Sequence, residues 1–170
     1  MQILKAEYQD IPALVALMDH AYRGEESKQG WSSEADLFEG NKRTDEATVA
    51  GLMENPENIF LKCCTEAGVM EGCVCLQKKG TRIYLGMLTV SPAAQGKGIG
   101  KLLLEAAGKH AVEQNCKSIY MSVITIRTEL IAWYERHGYK KTGERIPFPV
   151  DERFGVPKKK LEMFILEKIM

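Results

Sequence analysis

The sequence predicts a mixed, mostly antiparallel α/β sheet with helices on both faces, and three observations predict it. Between residues 58 and 90, "NIFLKCCT", "GCVCLQKK" and "RIYLGMLTV" are strand-like runs separated only by Glu66-Ala67-Gly68 and Lys79-Gly80, the pattern of an antiparallel meander. The last of these runs leads through a glycine-rich loop into a helical pattern and then another strand-like run. Such a strand–helix–strand step makes a parallel pair with a right-handed crossover. Helical spacing and strand-like runs also alternate through the rest of the chain, so a single sheet is flanked by several helices.

The elements follow in order. Residues 2 to 6 read as a short strand. Asp10 stands as an N-cap before a helix with Ile11, Leu14, Val15 and Met18 on one stripe. From Gly24 to about Thr44 the chain is polar and irregular, interrupted by Trp31, Leu37 and Phe38; connections of this length are uncommon and often functional. A second helix runs from Thr44 or Asp45 to about Met53 and stops before "ENPEN". After the meander a helix spans Gly98 to about Asn115, with Ile99, Leu102, Leu103, Ala106 and His110 on or near one face. "KSIYMSVI" is a strand, and "RTELIAWYERHG" is a helix closed by Gly138 at C′. "YKKTGE" and "KKLEMFILEKI" are the last strands, joined by a loop carrying Pro147, Pro149 and Pro157. The order is β-α-α-β-β-β-α-β-α-β-β. With no internal repeat, low-complexity tract or linker, residues 1–170 are expected to form one domain.

Composition narrows the function. The 23 basic residues balance the 23 acidic ones, so no global field draws the chain to nucleic acid, to a membrane or to an acidic polymer. The start lacks a basic segment followed by a long apolar stretch, and no apolar run approaches the roughly 20 residues that span a bilayer. A cytoplasmic location is the expectation. Five cysteines, an odd number, do not form a disulfide framework and suit a reducing compartment. Cys63 and Cys64 could meet Cys73 and Cys75 in a hairpin, with the latter two on one face. Their spacing fits no common zinc motif and no histidine lies near, so they read as small buried thiols and no metal is expected.

The stretch "VSPAAQGKGIGKLLLEAAGKHAV" places Gly96, Gly98 and Gly100 between a strand and a helix, where each costs backbone entropy. Peptide N–H groups there converge on a helix N-terminus, where unpaired donors and the macrodipole favour an anion. The spacing is neither a Walker A loop nor the dinucleotide fingerprint. A phosphate cradle and a tight turn between packed elements both explain these glycines.

Val90, Pro92, "QGKGIG" and the leucine-rich helix after them resemble the acetyl-CoA motif of the GNAT family of N-acetyltransferases. "WYERHGY", residues 133 to 139, is similar to a second motif of that family, and the element order matches nearly from end to end. The resemblance implies the acyl-CoA N-acyltransferase fold, in which the fourth and fifth strands form a splayed parallel pair. It implies acetyl-CoA as co-substrate, its pantetheine arm pairing with the backbone of Leu88 and Val90. Gln95, Gly96, Lys97, Gly98, Ile99 and Gly100 would cradle the pyrophosphate, with Lys101 nearby; Lys97 and Lys101 also read as solvated charges.

The implied reaction is direct attack of an amine on the thioester, with Tyr134 as the general acid for the leaving thiolate. A phenol of pKa about 10 is protonated at neutral pH, and donation to a thiolate of about 8.5 is uphill by roughly 2 kcal/mol. By periodicity alone Tyr134 is a core aromatic, since Leu130, Trp133, Tyr134 and His137 form a stripe. Many family members carry asparagine where this chain has Arg127, which suits a CoA phosphate, an acidic group of the substrate, or solvent. Glu25, Glu26, Glu34 or a water chain can serve as base, and His137 reads as a helix-end residue. The early segment with Tyr22, Arg23, Trp31, Glu34 and Arg43 suits a small polar or zwitterionic amine better than a strongly cationic one, and Trp31 and Glu34 are the candidate substrate residues. A small-molecule amine is therefore the expected partner, and the family's frequent dimers leave a homodimer open. The alternative is a non-catalytic acyl-CoA-binding sensor or scaffold. Acceptor identity, acyl-chain preference and the base are not legible from the residues.

Overall fold

A computed structural model of the chain describes residues 1–23, 34–40 and 42–170. One sheet contains β1 (Gln2–Lys5), β2 (Asn58–Cys64), β3 (Met70–Lys79), β4 (Arg82–Val90), β5 (Ser118–Ile124), β6 (Lys140–Pro147) and β7 (Glu162–Ile169). The order across it is β1-β2-β3-β4-β5-β7-β6, antiparallel throughout except for β4 beside β5. The helices are α1 (Ile11–Tyr22), α2 (Glu46–Glu54), α3 (Ile99–Glu113) and α4 (Thr128–Arg136). No helix among the described residues is long and apolar enough to cross a membrane.

Strand alternation sorts the core into two layers. Phe60, Cys73 and Cys75 pack with Leu14 and Met18 of α1 and Val49 of α2. Leu61, Cys63, Val74 and Leu76 point to the opposite layer, with Ile99, Leu103 and Ala107 of α3 and Ile131 of α4. Burying a side chain such as Leu14 or Leu103 contributes about 1.5–3 kcal/mol. The five cysteines are free and buried, and Cys63 faces the layer opposite to Cys73 and Cys75.

Three local expectations shift. The buried stripe of α3 is Ile99, Leu103, Ala107 and Ala111, with Leu104 beside it, while Leu102 is 37% exposed. The helix turns its alanines to the sheet, where small residues permit close approach. Asp10 precedes α1, but its carboxylate accepts from the Glu7 N–H at 2.8 Å and from Lys62 Nζ at 2.9 Å and 3.0 Å. It closes the preceding turn and bridges to β2 instead of capping α1. Asp45 does cap α2, accepting from the Thr48 N–H at 2.8 Å. An unpredicted two-residue bridge joins Phe38–Glu39 to Val156–Pro157 and ties the early irregular segment to the late proline-rich loop. Two paired residues carry no periodicity that a sequence could show.

The sheet opens where β4 meets β5. They pair only at Arg82–Ser118, Ile83–Ile119 and Tyr84–Tyr120. Beyond Tyr84, β4 carries a bulge, in which Met87 and Leu88 oppose the single residue Val74 of β3. Met87 adopts a φ of +55° there. A bulge bends and twists its strand, so the outer half of β4 leaves β5 and a V-shaped opening follows.

Candidate active site

One wall of the opening is the loop from β4 to α3. Gly96 and Gly98 take φ values of +85° and +82°, and Gly98 caps α3. A residue with a Cβ would be strained by about 1–2 kcal/mol in this left-handed region. The turn they make places the first turn of the 15-residue α3, whose leading N–H groups have no helical partners, beside the opening. Gly100 has another cause. A Cβ there would lie 3.0 Å from Cζ2 and 3.1 Å from Cη2 of Trp133, so this glycine lets α3 and α4 touch. Both explanations of the glycines therefore hold, at different positions.

The groove beside the loop has a volume of about 630 Å³. Leu88, Val90, Gln95, Gly96, Gly98, Ile99, Gly100 and Lys101 all line it. Lys97 is exposed. The Gln95 side chain folds back and donates from Nε2 to the Val90 carbonyl at 3.3 Å. Across the groove stand Trp133, Tyr134, Glu129 and Arg136 of α4. Among these, Glu129, Trp133 and Arg136 were not predicted as lining residues, although Trp133 and Arg136 lie within the quoted "WYERHGY".

Tyr134 is placed by the way α4 ends. The Gly138 N–H donates to the Glu135 carbonyl at 3.1 Å, and the Tyr139 N–H to the Tyr134 carbonyl at 3.2 Å, with Gly138 at φ +95°. This pair of bonds is a Schellman closure, which brings the residue after the glycine against the helix's third-last position. Here that contact sets the Tyr139 ring edge-on to the Tyr134 ring, centroids 5.9 Å apart. Trp133 flanks Tyr134 at 5.1 Å. Tyr134 is 6% exposed, and burial pushes its phenol well above the usual range, with the Arg127 charge partly opposing the rise. His137 Nδ1 donates to the Trp133 carbonyl at 2.8 Å and its ring lies tilted against the indole, centroids 4.5 Å apart, so it closes the helix.

A second cavity of about 340 Å³ lies on the far side of Tyr134. Tyr22, Leu88, Leu130 and Tyr134 line both spaces and form their common wall. The Tyr22 hydroxyl donates to the Leu88 carbonyl in this wall, and burial pushes its phenol up to about 12. Helical spacing four residues after Met18 is the signal that puts Tyr22 on the inner face of α1.

The second cavity combines apolar walls with a cluster of charged side chains. Glu34 Oε1 accepts from Arg23 Nε at 2.9 Å, and Arg43 Nε lies 3.7 Å from the same oxygen. Arg23 also donates to the carbonyls of Lys42 and Phe154 and lies 3.8 Å over the Phe38 ring. Burial lowers the pKa of this guanidinium, and the Glu34 carboxylate works against that effect. Arg127, Phe148 and Asp151 complete the charged and aromatic lining. Trp31, Glu25 and Glu26 lie outside the described residues. An anion-favouring groove and a charged cavity thus meet at two buried phenolic hydroxyls, an arrangement suited to moving a group from one bound molecule to another.

Known proteins share this architecture. A ribosomal-protein-alanine N-acetyltransferase from Brucella melitensis superposes with a TM-score of 0.74 over 100% of both chains at 19% identity. The Salmonella typhimurium protein yncA, solved with its cofactor acetyl-CoA, gives 0.72 over 99% of this chain and 93% of that one at 18% identity. In sequence, the Bacillus subtilis spermine/spermidine N(1)-acetyltransferase is 36% identical over 67 residues. That match covers 39% of this chain and 44% of the relative, less than half of either. The model of the acetyltransferase (GNAT) family matches residues 16–139, most of the chain and all of the groove loop and α4. With the splayed strands, the loop and the buried tyrosine on one opening, the chain belongs to the acetyltransferase (GNAT) family.

Proposed function

We propose that residues 1–170 act as one domain, a cytoplasmic N-acetyltransferase that moves acetyl from acetyl-CoA to the primary amine of a small polar acceptor by direct attack. The observation that carries this reading is the meeting of two cavities at Tyr134, one with helix N–H donors and one with charged side chains. The B. subtilis relative, named for spermine and spermidine, supports a small amine as acceptor.

In this reading the N–H groups from Gln95 to Lys101 hold the pyrophosphate, and Leu88 and Val90 align the pantetheine arm as an added strand. The Tyr22 hydroxyl yields the Leu88 carbonyl to that arm. Acetyl-CoA supplies a thioester that an uncharged amine opens, forming a C–N bond and breaking the C–S bond. Tyr134 donates its phenolic proton to the departing sulfur. Burial keeps that proton in place at neutral pH and makes its release harder, while the same dry surroundings raise the proton affinity of the thiolate and work in the opposite direction. Glu34, bonded to Arg23, serves as a wall of the acceptor cavity, and water carries away the amine's proton.

Thermal unfolding with acetyl-CoA, ATP and NAD tests the first half of this reading. Acetyl-CoA at about 100 times its Kd adds about 2.7 kcal/mol, a shift of about 5–10 °C, and the other nucleotides add none. Tyr134→Phe tests the second half: kcat falls about 100-fold while the acetyl-CoA shift persists. A shift without transfer to any amine identifies an acyl-CoA sensor, and an unchanged kcat removes the acid role.

A further inference from the structure

We propose that the second cavity takes a primary monoamine whose amine is carried on an apolar or aromatic body. The inference rests on the reading of this cavity as the acceptor site, and it concerns what is attached to the amine. A small acceptor held here has its polarity at one end.

The polar groups that line the cavity are turned to one another or to the protein around them. Glu34 is bonded to Arg23 Nε at 2.9 Å, and Arg43 Nε lies 3.7 Å from the same oxygen. Arg23 also donates to the carbonyls of Lys42 and Phe154. Asp151 accepts from Arg153 Nε at 3.0 Å and from Nη2 at 2.6 Å. Arg127 has an interaction of its own. The hydroxyls of Tyr84 on β4 and Ser122 on β5 are bonded to each other at 2.7 Å, and the Tyr22 hydroxyl donates to the Leu88 carbonyl. Among the described residues, the charges of the lining thus find their partners within the protein.

What the cavity offers a ligand is apolar surface. A small hydrophobic cluster, separate from the two core layers, has Phe38, Ile124 and Met163 as buried members, with Phe148 packed against them. All four residues line the cavity, and the rings of Phe38 and Phe148 stand 5.2 Å apart. Leu88 and Leu130 extend this surface to the wall that holds Tyr134. An apolar body gains affinity here by leaving water. A second ammonium group, or a carboxylate, has to leave water without a ready partner or break an ion pair of the protein. Polyamines and amino acids are both disfavoured on that ground. The same dry walls favour the uncharged amine, which is the form that attacks a thioester.

Calorimetric titration of the CoA-bound protein measures the preference without relying on turnover. The probes are 2-phenylethylamine and isopentylamine, ethanolamine as their polar counterpart, L-phenylalanine as the counterpart with a carboxylate, and spermidine. The two apolar amines bind about 10- to 100-fold more tightly than ethanolamine, the range of two or three buried methylene groups. L-phenylalanine binds more weakly than 2-phenylethylamine, and spermidine more weakly than isopentylamine. Phe148→Ser lowers the affinity for 2-phenylethylamine about tenfold and Phe148→Leu restores most of it, while both keep the acetyl-CoA thermal shift. Binding of ethanolamine, L-phenylalanine or spermidine as tight as that of the apolar amines overturns the inference. So does binding of none of the probes, or a Phe148→Ser variant that binds 2-phenylethylamine as the unaltered protein does. Acetyl transfer to the same probes is scored separately. The expected binding preference with no transfer leaves the inference standing and removes the enzyme reading; transfer with spermidine bound most tightly does the reverse.

Discussion

The groove and the second cavity share the wall formed by Tyr22, Leu88, Leu130 and Tyr134, yet they are built by different means. One side of the groove is a single run of residues, 95 to 101, whose backbone supplies the donors and whose glycines shape the turn. The cavity draws Tyr22, Arg43, Arg127 and Phe148 from separate segments and presents side-chain charge. The groove is held by packing, with Trp133 filling the space beside Gly100. The cavity is held by a desolvated ion pair and by the short bridge between Phe38–Glu39 and Val156–Pro157. A backbone device of this kind suits a ligand common to many relatives. A wall of side chains on separate segments can change its preference one residue at a time.

The comparison breaks most readily at the ion pair. Glu34→Gln leaves the Arg23 guanidinium buried without its carboxylate, which costs about 3 kcal/mol. The melting temperature then falls by about 6–12 °C. A loss below about 1 kcal/mol, as for an exposed pair, would mean that the cavity is not held this way.

The groove gives a sharper contrast within a few residues. Gly98→Val strains a left-handed loop position, which costs about 1–2 kcal/mol in unfolding, and raises the acetyl-CoA Kd about tenfold. Gly100→Ala pushes a methyl group into the Trp133 ring and costs about 1–3 kcal/mol in denaturant unfolding. If Gly100→Ala raises the acetyl-CoA Kd as much as Gly98→Val does, the separate roles of these glycines are wrong.

The shared wall shows the smallest effect, at alkaline pH. The folded-state pKa of Tyr22, about 12, lies above the ordinary value of about 10. Its contribution is therefore complete below pH 10 and is lost as pH rises toward 12. Between pH 9 and 11 the protein loses about 1 kcal/mol more stability than its Tyr22→Phe variant. Parallel curves for the two would place the Tyr22 hydroxyl in solvent.

Legibility follows the same division. The meander, α3 and α4 are legible because alternation, helical spacing and turn residues are local. The loop motif and "WYERHGY" are legible for the same reason, each being a contiguous stretch. The facing stripe of α3 is misread by one position, because leucine at 102 and leucine at 103 are equivalent until the sheet they meet is known. The bridge at Phe38–Glu39 and the bulge at Met87 and Leu88 leave no pattern, since each depends on a partner strand elsewhere in the chain.

By itself the sequence determined the order of elements, the glycine-rich entry to α3 and the Gly138 closure that holds Tyr139 against Tyr134, because these depend on neighbours within a few residues. Only the tertiary structure decided that Gly100 answers to Trp133, that Tyr22 reaches Leu88, and that Arg23, not the acceptor, neutralises Glu34. Those outcomes depend on which distant surfaces meet when the core is buried, and single-residue chemistry does not specify that pairing.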